Sequence, residues 1–124
     1  MHERVLTRGD LLALPQHTAR LPIACVEGWS TVQTWTGVRL RDLAALAGIP
    51  HPASASVTSL ERGPFARATL NSGQVTDPDA LLALRVNGED LSPDHGFPAR
   101  VIVPALPGVH CTKWVHSIAF GSAR

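Results

Sequence analysis

The chain has 124 residues, 44% hydrophobic and 17% charged, with a formal net charge of +1. That length fits one domain over residues 1–124, large enough to bury roughly two-thirds of the surface its unfolded form exposes. The balance excludes a disordered chain, and the near-neutral charge gives no electrostatic case for binding nucleic acid or an anionic membrane. No apolar run approaches the roughly 18 residues of a membrane span, and Met1-His-Glu-Arg4 has no signal-peptide pattern.

Ten prolines and ten glycines divide the chain into short elements, as in a strand-rich domain with shaped loops. Thr7, with Asp10 three residues on, predicts a capped helix over Arg8 to Leu14 that Pro15 ends. Leu21 to Val26 reads as a buried strand running into a turn at Gly28. Leu40 to Ala47 carries apolar residues at 40, 43, 44, 46 and 47, a helical face stopped by Gly48 and Pro50. Val57 to Leu60 reads as a short strand, and Thr76-Asp-Pro-Asp79 opens a turn. Leu81 to Val86 is a strand, followed by Asn87-Gly88, a strong hairpin signal leading to Leu91. Ala99 to Val103 and Trp114 to Phe120 are the last two strands. The order points to an α+β fold, mixed and strand-rich with a few short helices, rather than a doubly wound parallel sheet.

Three segments carry residue types suited to chemistry. Cys25 ends an apolar strand before Glu27-Gly28-Trp29. A strand end can hold a side chain rigidly at a pocket, and a thiolate is a soft metal ligand. Equally, a lone cysteine is often a small buried hydrophobe. In Asp94-His-Gly-Phe-Pro-Ala-Arg100, Gly96 and Pro98 keep His95 and Arg100 off a common helix face. Such a loop suits a phosphate and a flat heterocycle; the plainer alternative is a turn with a solvated arginine. In Gly108-Val-His-Cys-Thr-Lys-Trp114, Lys113 follows a glycine-containing loop and could meet an anion, or simply lie on the surface beside a core Trp114. Cys25, Cys111, His95 and His110 are zinc-type ligands without zinc-type spacing. There is no Walker or Rossmann loop and no nucleophile elbow. A Cys/His hydrolase needs a triad assembled only in three dimensions.

Together, Cys25-Val-Glu-Gly-Trp-Ser30, the long block Leu81-Leu-Ala-Leu-Arg-Val-Asn-Gly-Glu-Asp-Leu-Ser-Pro-Asp-His-Gly-Phe-Pro-Ala-Arg-Val-Ile-Val-Pro104, and Gly108-Val-His-Cys-Thr-Lys-Trp-Val115 resemble the sulfite oxidase-type molybdopterin-binding domain. Trp35-Thr-Gly-Val-Arg-Leu40 resembles the segment that follows the metal cysteine in that family. The resemblance runs from about Leu6 to Phe120. It implies a sulfite oxidase-like fold and a molybdenum–molybdopterin cofactor with Cys25 as catalytic metal ligand. It further implies that His95 and Arg100 contact the pterin and its phosphate, and that Cys111, Thr112 and Lys113 contact the pterin. The implied activity is two-electron oxygen-atom transfer on a small-molecule substrate, with a haem or membrane electron-transfer partner. A non-catalytic or cofactor-free binding module of the same fold is the competing reading.

The departures narrow this expectation. Sulfite oxidases proper carry arginines soon after the metal cysteine and a tyrosine near the metal. Here Val26-Glu-Gly-Trp-Ser30 follows, and the chain has no tyrosine. The pattern is closer to the bacterial branch that includes a periplasmic methionine-sulfoxide reductase. Where many relatives have Asp-Gly-Tyr, this chain has Glu61-Arg-Gly-Pro-Phe65. Relatives also bind the pterin through a segment upstream of the cysteine, and only 24 residues precede Cys25. The expectation is a C-terminal fragment of a longer protein, in which the cofactor can be absent from this piece alone; the localisation is left open, with a soluble domain that is extracytoplasmic and membrane-tethered in the full-length form as one option.

Overall fold

Helix α1 (Arg8–Ala13) starts at the expected cap: Thr7 Oγ1 accepts from the Asp10 N–H at 3.1 Å, and the Asp10 carboxylate accepts from the Thr7 N–H at 2.9 Å. In the computed structural model, the residues described are 4–24, 30–61, 63, 66–104 and 111–122. Strand β1 (His17–Ala24) begins earlier than the sequence predicts, and it is an edge strand. The strand expected from Leu21 is present as far as Ala24, but Leu21 is half-buried and Pro22 exposed, so its expected burial is corrected at those two positions. An edge is where a proline fits, because its missing N–H breaks no ladder bond. Cys25 and Val26 lie outside the described residues.

Strand β2 (Ser30–Arg39) pairs antiparallel with β1 from His17↔Gly37 to Ala24↔Ser30. Sequence reading missed it, although Thr34, Thr36 and Val38 are β-branched types that favour a pleated surface. Helix α2 (Leu40–Leu46) buries Leu40, Leu43 and Ala44, the expected face. Its end is closed by the Ile49 N–H donating to Ala44 O at 2.8 Å, with Gly48 at φ 83° as a left-handed exit. Strand β3 (Pro52–Ser59) is longer than predicted. Strand β4 (Arg67–Asn71) and helix α3 (Ser72–Thr76) were also missed, though Asn71 and Gln74 form a reciprocal capping box at 2.9 Å each way.

Strand β5 (Leu81–Val86) matches its predicted span, and Asn87 (φ 53°) and Gly88 (φ 83°) turn it into β6 (Glu89–Asp90). Both central residues at positive φ are what a two-residue primed hairpin requires. Strands β7 (Arg100–Ile102) and β8 (Val115–Ser122) complete the set. One sheet runs β1-β2-β5-β6 with β7 also on β5; the other runs β4-β3-β8. Every pairing described is antiparallel, in keeping with the expected α+β, strand-rich architecture.

Strand β5 is buried on both faces, which explains its apolar run. Leu82 and Leu84 enter the larger core with Val38, Val57, Leu70, Val101 and Phe120. Leu81 and Ala83 face the other way, toward Trp35, Ile102 and Cys111. At the sheet's margin, Arg39 Nη2 donates to His17 Nδ1 at 2.9 Å while His17 Nε2 donates to Asp79 Oδ1 at 2.9 Å. That set joins the start of β1 to the end of β2 and the entry to β5.

Candidate functional site

The second face of the five-stranded sheet positions Arg100. Antiparallel pairing sets Arg100 opposite Ala83, and Ala83 opposite Gly37. Two very small residues in one rung leave room for a long side chain to lie across the sheet. The pairing also skips Leu84 between Thr36↔Arg85 and Gly37↔Ala83, an extra residue that bends the ladder locally. The Arg100 guanidinium carbon sits 5.2 Å from the centroid of the Trp35 ring. Arg100 is 3% exposed and Trp35 1%. The solvated arginine considered from sequence is therefore corrected: small neighbours let this one fold back into the protein.

Two carbonyls receive the guanidinium. Nη1 donates to His95 O at 3.4 Å and Nη2 to Cys111 O at 3.2 Å. Arg100 Nε, Trp35 Nε1 and Thr112 Oγ1 are buried with no hydrogen-bond partner among the described residues. No carboxylate among the described residues pairs with Arg100; the ion pairs found there are Arg8–Asp90, His17–Asp79 and Arg85–Asp90. Among the described residues this buried cation meets two carbonyls and one ring face, with two further orphaned polar groups on neighbouring residues, and its hydrogen-bonding capacity is not filled there. An anionic, hydrogen-bonding ligand would satisfy it.

The loop and the last segment meet around Gly96. Ser92 Oγ accepts from the His95 N–H at 3.2 Å and lies 2.7 Å from His95 Nδ1. This fixes the short 3-10 turn Pro93–His95 and commits one ring nitrogen, so Nε2 is the one a ligand would engage. Gly96 has φ 108°, and a Cβ there would lie 3.0 Å from Lys113 Cβ and 3.1 Å from Arg100 Cβ. Glycine thus serves both the left-handed turn and the close approach. Arg8 reaches over from α1, bonded to Asp90 at 2.6 Å and 5.5 Å from the Phe97 ring centroid.

Residues 111–114 are held by their carbonyls. Cys111 O accepts from Arg100, Thr112 O from the Val101 N–H at 2.8 Å, Lys113 O from Ser59 Oγ at 2.8 Å and Trp114 O from the Leu60 N–H at 2.8 Å. The Trp114 and Val115 N–H groups donate to Gly96 O at 3.3 Å and Ala99 O at 2.9 Å, so a ligand would meet the N–H side of Cys111 and Thr112. Lys113 Nζ lies 5.6 Å from the Trp114 ring centroid. Trp114 is half-buried, with Nε1 donating to Pro93 O at 2.7 Å. It is a brace for the His95 turn and not the core residue expected from sequence; Trp35 fills the core role.

Burial pushes the Arg100 guanidinium below its ordinary value, with Cys111 opposing. Arginine's ordinary value is high enough that it stays charged. Burial pushes the Cys111 thiol up, against the Val103 carbonyl and Arg100. A protonated, buried thiol is neither a nucleophile nor a soft ligand. It also makes a pH prediction. Above about pH 8.5 the unfolded thiol ionises while the folded one keeps its proton, so the unfolded state binds fewer protons and stability falls as pH rises. Below that pH the contribution is fully present. Urea unfolding at about pH 7.5 and 9.5, on either side of the ordinary thiol value, will show a smaller loss in Cys111→Ala than in the wild type. With no tyrosine in the chain, few other groups titrate there.

The structure thus brings His95, Arg100, Cys111, Thr112 and Lys113 to one place. Cys25, Glu27, Trp29 and His110 lie outside the described residues, and among those described no three His, Cys, Asp or Glu side chains gather to hold an ion. Trp35 and Ser59 were missed as contributors. A tryptophan in a threonine-rich, β-branched run was the available signal for Trp35.

The model of the oxidoreductase molybdopterin binding domain matches residues 1–124. The chain belongs to this family. It is 35% identical to the uncharacterized oxidoreductase YuiH of Bacillus subtilis (strain 168), across 96% of this chain and 60% of that protein. It is 33% identical to a nitrate reductase [NADH] of Volvox carteri, across 91% of this chain and 17% of that one. The sulfane dehydrogenase SoxCD of Paracoccus pantotrophus superposes with a TM-score of 0.84 at 26% identity, covering 95% of this chain and 35% of its own. The fold is therefore the sulfite oxidase-like molybdopterin-binding one, and a molybdenum cofactor is the family's group. The chain spans 60% or less of the length of these relatives.

Proposed function

We propose that this chain is the cofactor-holding part of a molybdenum-dependent oxidoreductase that transfers an oxygen atom to or from a small molecule. The observation that supports it most is Arg100: a buried guanidinium with an orphaned Nε and no carboxylate among the described residues, beside Thr112 and the His95 turn. Such a group suits the phosphate of a molybdopterin. When bound, that cofactor supplies two-electron chemistry coupled to oxygen-atom transfer.

Each residue then has a part. Cys25 holds the metal through its thiolate. Arg100 receives the phosphate, and His95 engages the heterocycle through Nε2. Lys113 and the N–H side of Cys111 and Thr112 hold its polar edge. The apolar face around Trp35, Leu81 and Ile102 keeps water from the guanidinium and strengthens its field. The domain works with further segments, as its relatives' greater lengths suggest, outside the cytoplasm and tethered to the membrane. Electrons pass to or from a haem or membrane partner.

The test is metal analysis of the full-length protein made in a host that produces the cofactor. Molybdenum near one atom per chain is expected, and Cys25→Ser will lose it. A wild-type protein free of molybdenum from such a host sinks the enzyme reading and favours a non-catalytic module of the same fold. Trapping of an acyl group on Cys25 would favour a hydrolase.

A further inference from the structure

We propose that Trp35 is the positioning residue for Arg100: its ring face sets the plane and reach of the guanidinium that meets the anionic end of the ligand. The proposal rests on the reading of Arg100 given above. Two carbonyl contacts at 3.4 and 3.2 Å are long for charge-assisted bonds. Nε has no partner. Those contacts alone do not fix the orientation of a planar five-donor group. The Trp35 ring, 5.2 Å away, supplies what they lack, because a guanidinium over an indole face is held by the ring quadrupole, strongly so when desolvated.

The ring is itself enclosed. Trp35 is 1% exposed and packed with Ala19, Ala83, Val86 and Leu91, and its backbone pairs with Ala19 on one side and Val86 on the other.

The experiment compares Trp35→Phe, Trp35→Leu and site-specific ring-fluorinated tryptophan at position 35 in the full-length protein. Fluorination keeps shape and N–H but weakens the ring face. The readouts are molybdenum and pterin per folded chain, and the half-life of pterin retention after dilution, alongside the unfolding temperature of the cofactor-free protein. Retention is expected to be shortened about tenfold for Leu, which has no ring face, and by an intermediate factor of about three for Phe and for the fluorinated ring, whose faces are weaker than that of Trp. The fluorinated protein is expected to unfold like wild type, which a purely structural role would not reconcile with lost retention. Normal retention in the fluorinated protein overturns the proposal even if Trp35→Leu fails to fold. So does an equal loss in Phe and Leu, since the indole N–H would then contact the ligand directly. An Arg100→Leu protein that keeps its cofactor overturns the reading of Arg100 instead. Loss in Arg100→Leu with full retention in the Trp35 variants overturns this inference alone.

Discussion

Arg100→Leu is expected to give a cofactor-free domain at least as stable as the wild type and unable to retain a molybdopterin. Burying a guanidinium costs several kcal/mol even after relaxation, and it is recovered only with good partners. Here the partners are two distant carbonyls and a ring face. Removing the charge frees His95 O, which lies on an exposed residue that water can reach, and Cys111 O, which is buried. One buried unsatisfied carbonyl costs about 1–3 kcal/mol, less than the charge. Leucine adds favourable packing beside Leu81 and Ile102. The net expectation is a gain of about 1 kcal/mol or slightly more, within the range seen when buried ions are replaced by apolar residues. Loss of a buried charged contact to the ligand costs about 2–5 kcal/mol, or at least about thirtyfold in affinity. Thermal unfolding of the cofactor-free protein and pterin content per chain read the two effects separately. A destabilised Arg100→Leu with unchanged cofactor would mean that Arg100 serves the fold and not the site.

Gly37→Ala is expected to abolish folding, a larger effect than any side-chain truncation in the core. A Cβ at position 37 would run into Leu82 O and lie 2.7 Å from Ala83 Cα. Both are backbone atoms of the central strand β5, buried on both faces and unable to yield like a side-chain tip. Relief requires parting β2 from β5, which exposes Trp35, Leu82 and Leu84. Fully burying such side chains contributes about 1.5–3 kcal/mol each, comparable in sum to a whole domain's stability of about 5–15 kcal/mol. Gly73→Ala is the matched control: it lies in α3, and its Cβ would meet only Asn71 Oδ1 at an ordinary 3.5 Å. That change is expected to be neutral or stabilising by up to about 1 kcal/mol. Soluble yield and urea unfolding of the two variants compare them directly, and a folded, cooperative Gly37→Ala would mean that the β2–β5 register described here is wrong.

What could be read in advance was local. The Thr7–Asp10 cap, the Leu40–Leu43–Ala44 face and the Asn87-Gly88 turn are decided by neighbours three or four residues apart. Strands β2 and β4 escaped notice because both are polar and partly exposed, without a clean alternation. For the site, motif order brought His95, Arg100 and Lys113 into view. It could not show that Arg100 is buried, since that depends on Ala83 and Gly37 sharing its rung. Trp35 and Ser59 were invisible as partners for the same reason: sequence separation hides register. Only pairing across the sheets puts Trp35 under Arg100 and Ser59 on Lys113 O.

The four carbonyls of residues 111–114 have one more consequence. Two of them bind the five-stranded sheet, at Arg100 and Val101, and two bind the three-stranded sheet, at Ser59 and Leu60. This segment is the seam between the layers, so neither sheet can peel away without tearing it. Subglobal openings are usually confined to weakly joined units, and here the joint runs through the candidate pocket itself. Whatever tightens the pocket tightens the cooperativity of the whole domain. A ligand seated beside Arg100 acts as a rivet through both layers and not as an ornament on one.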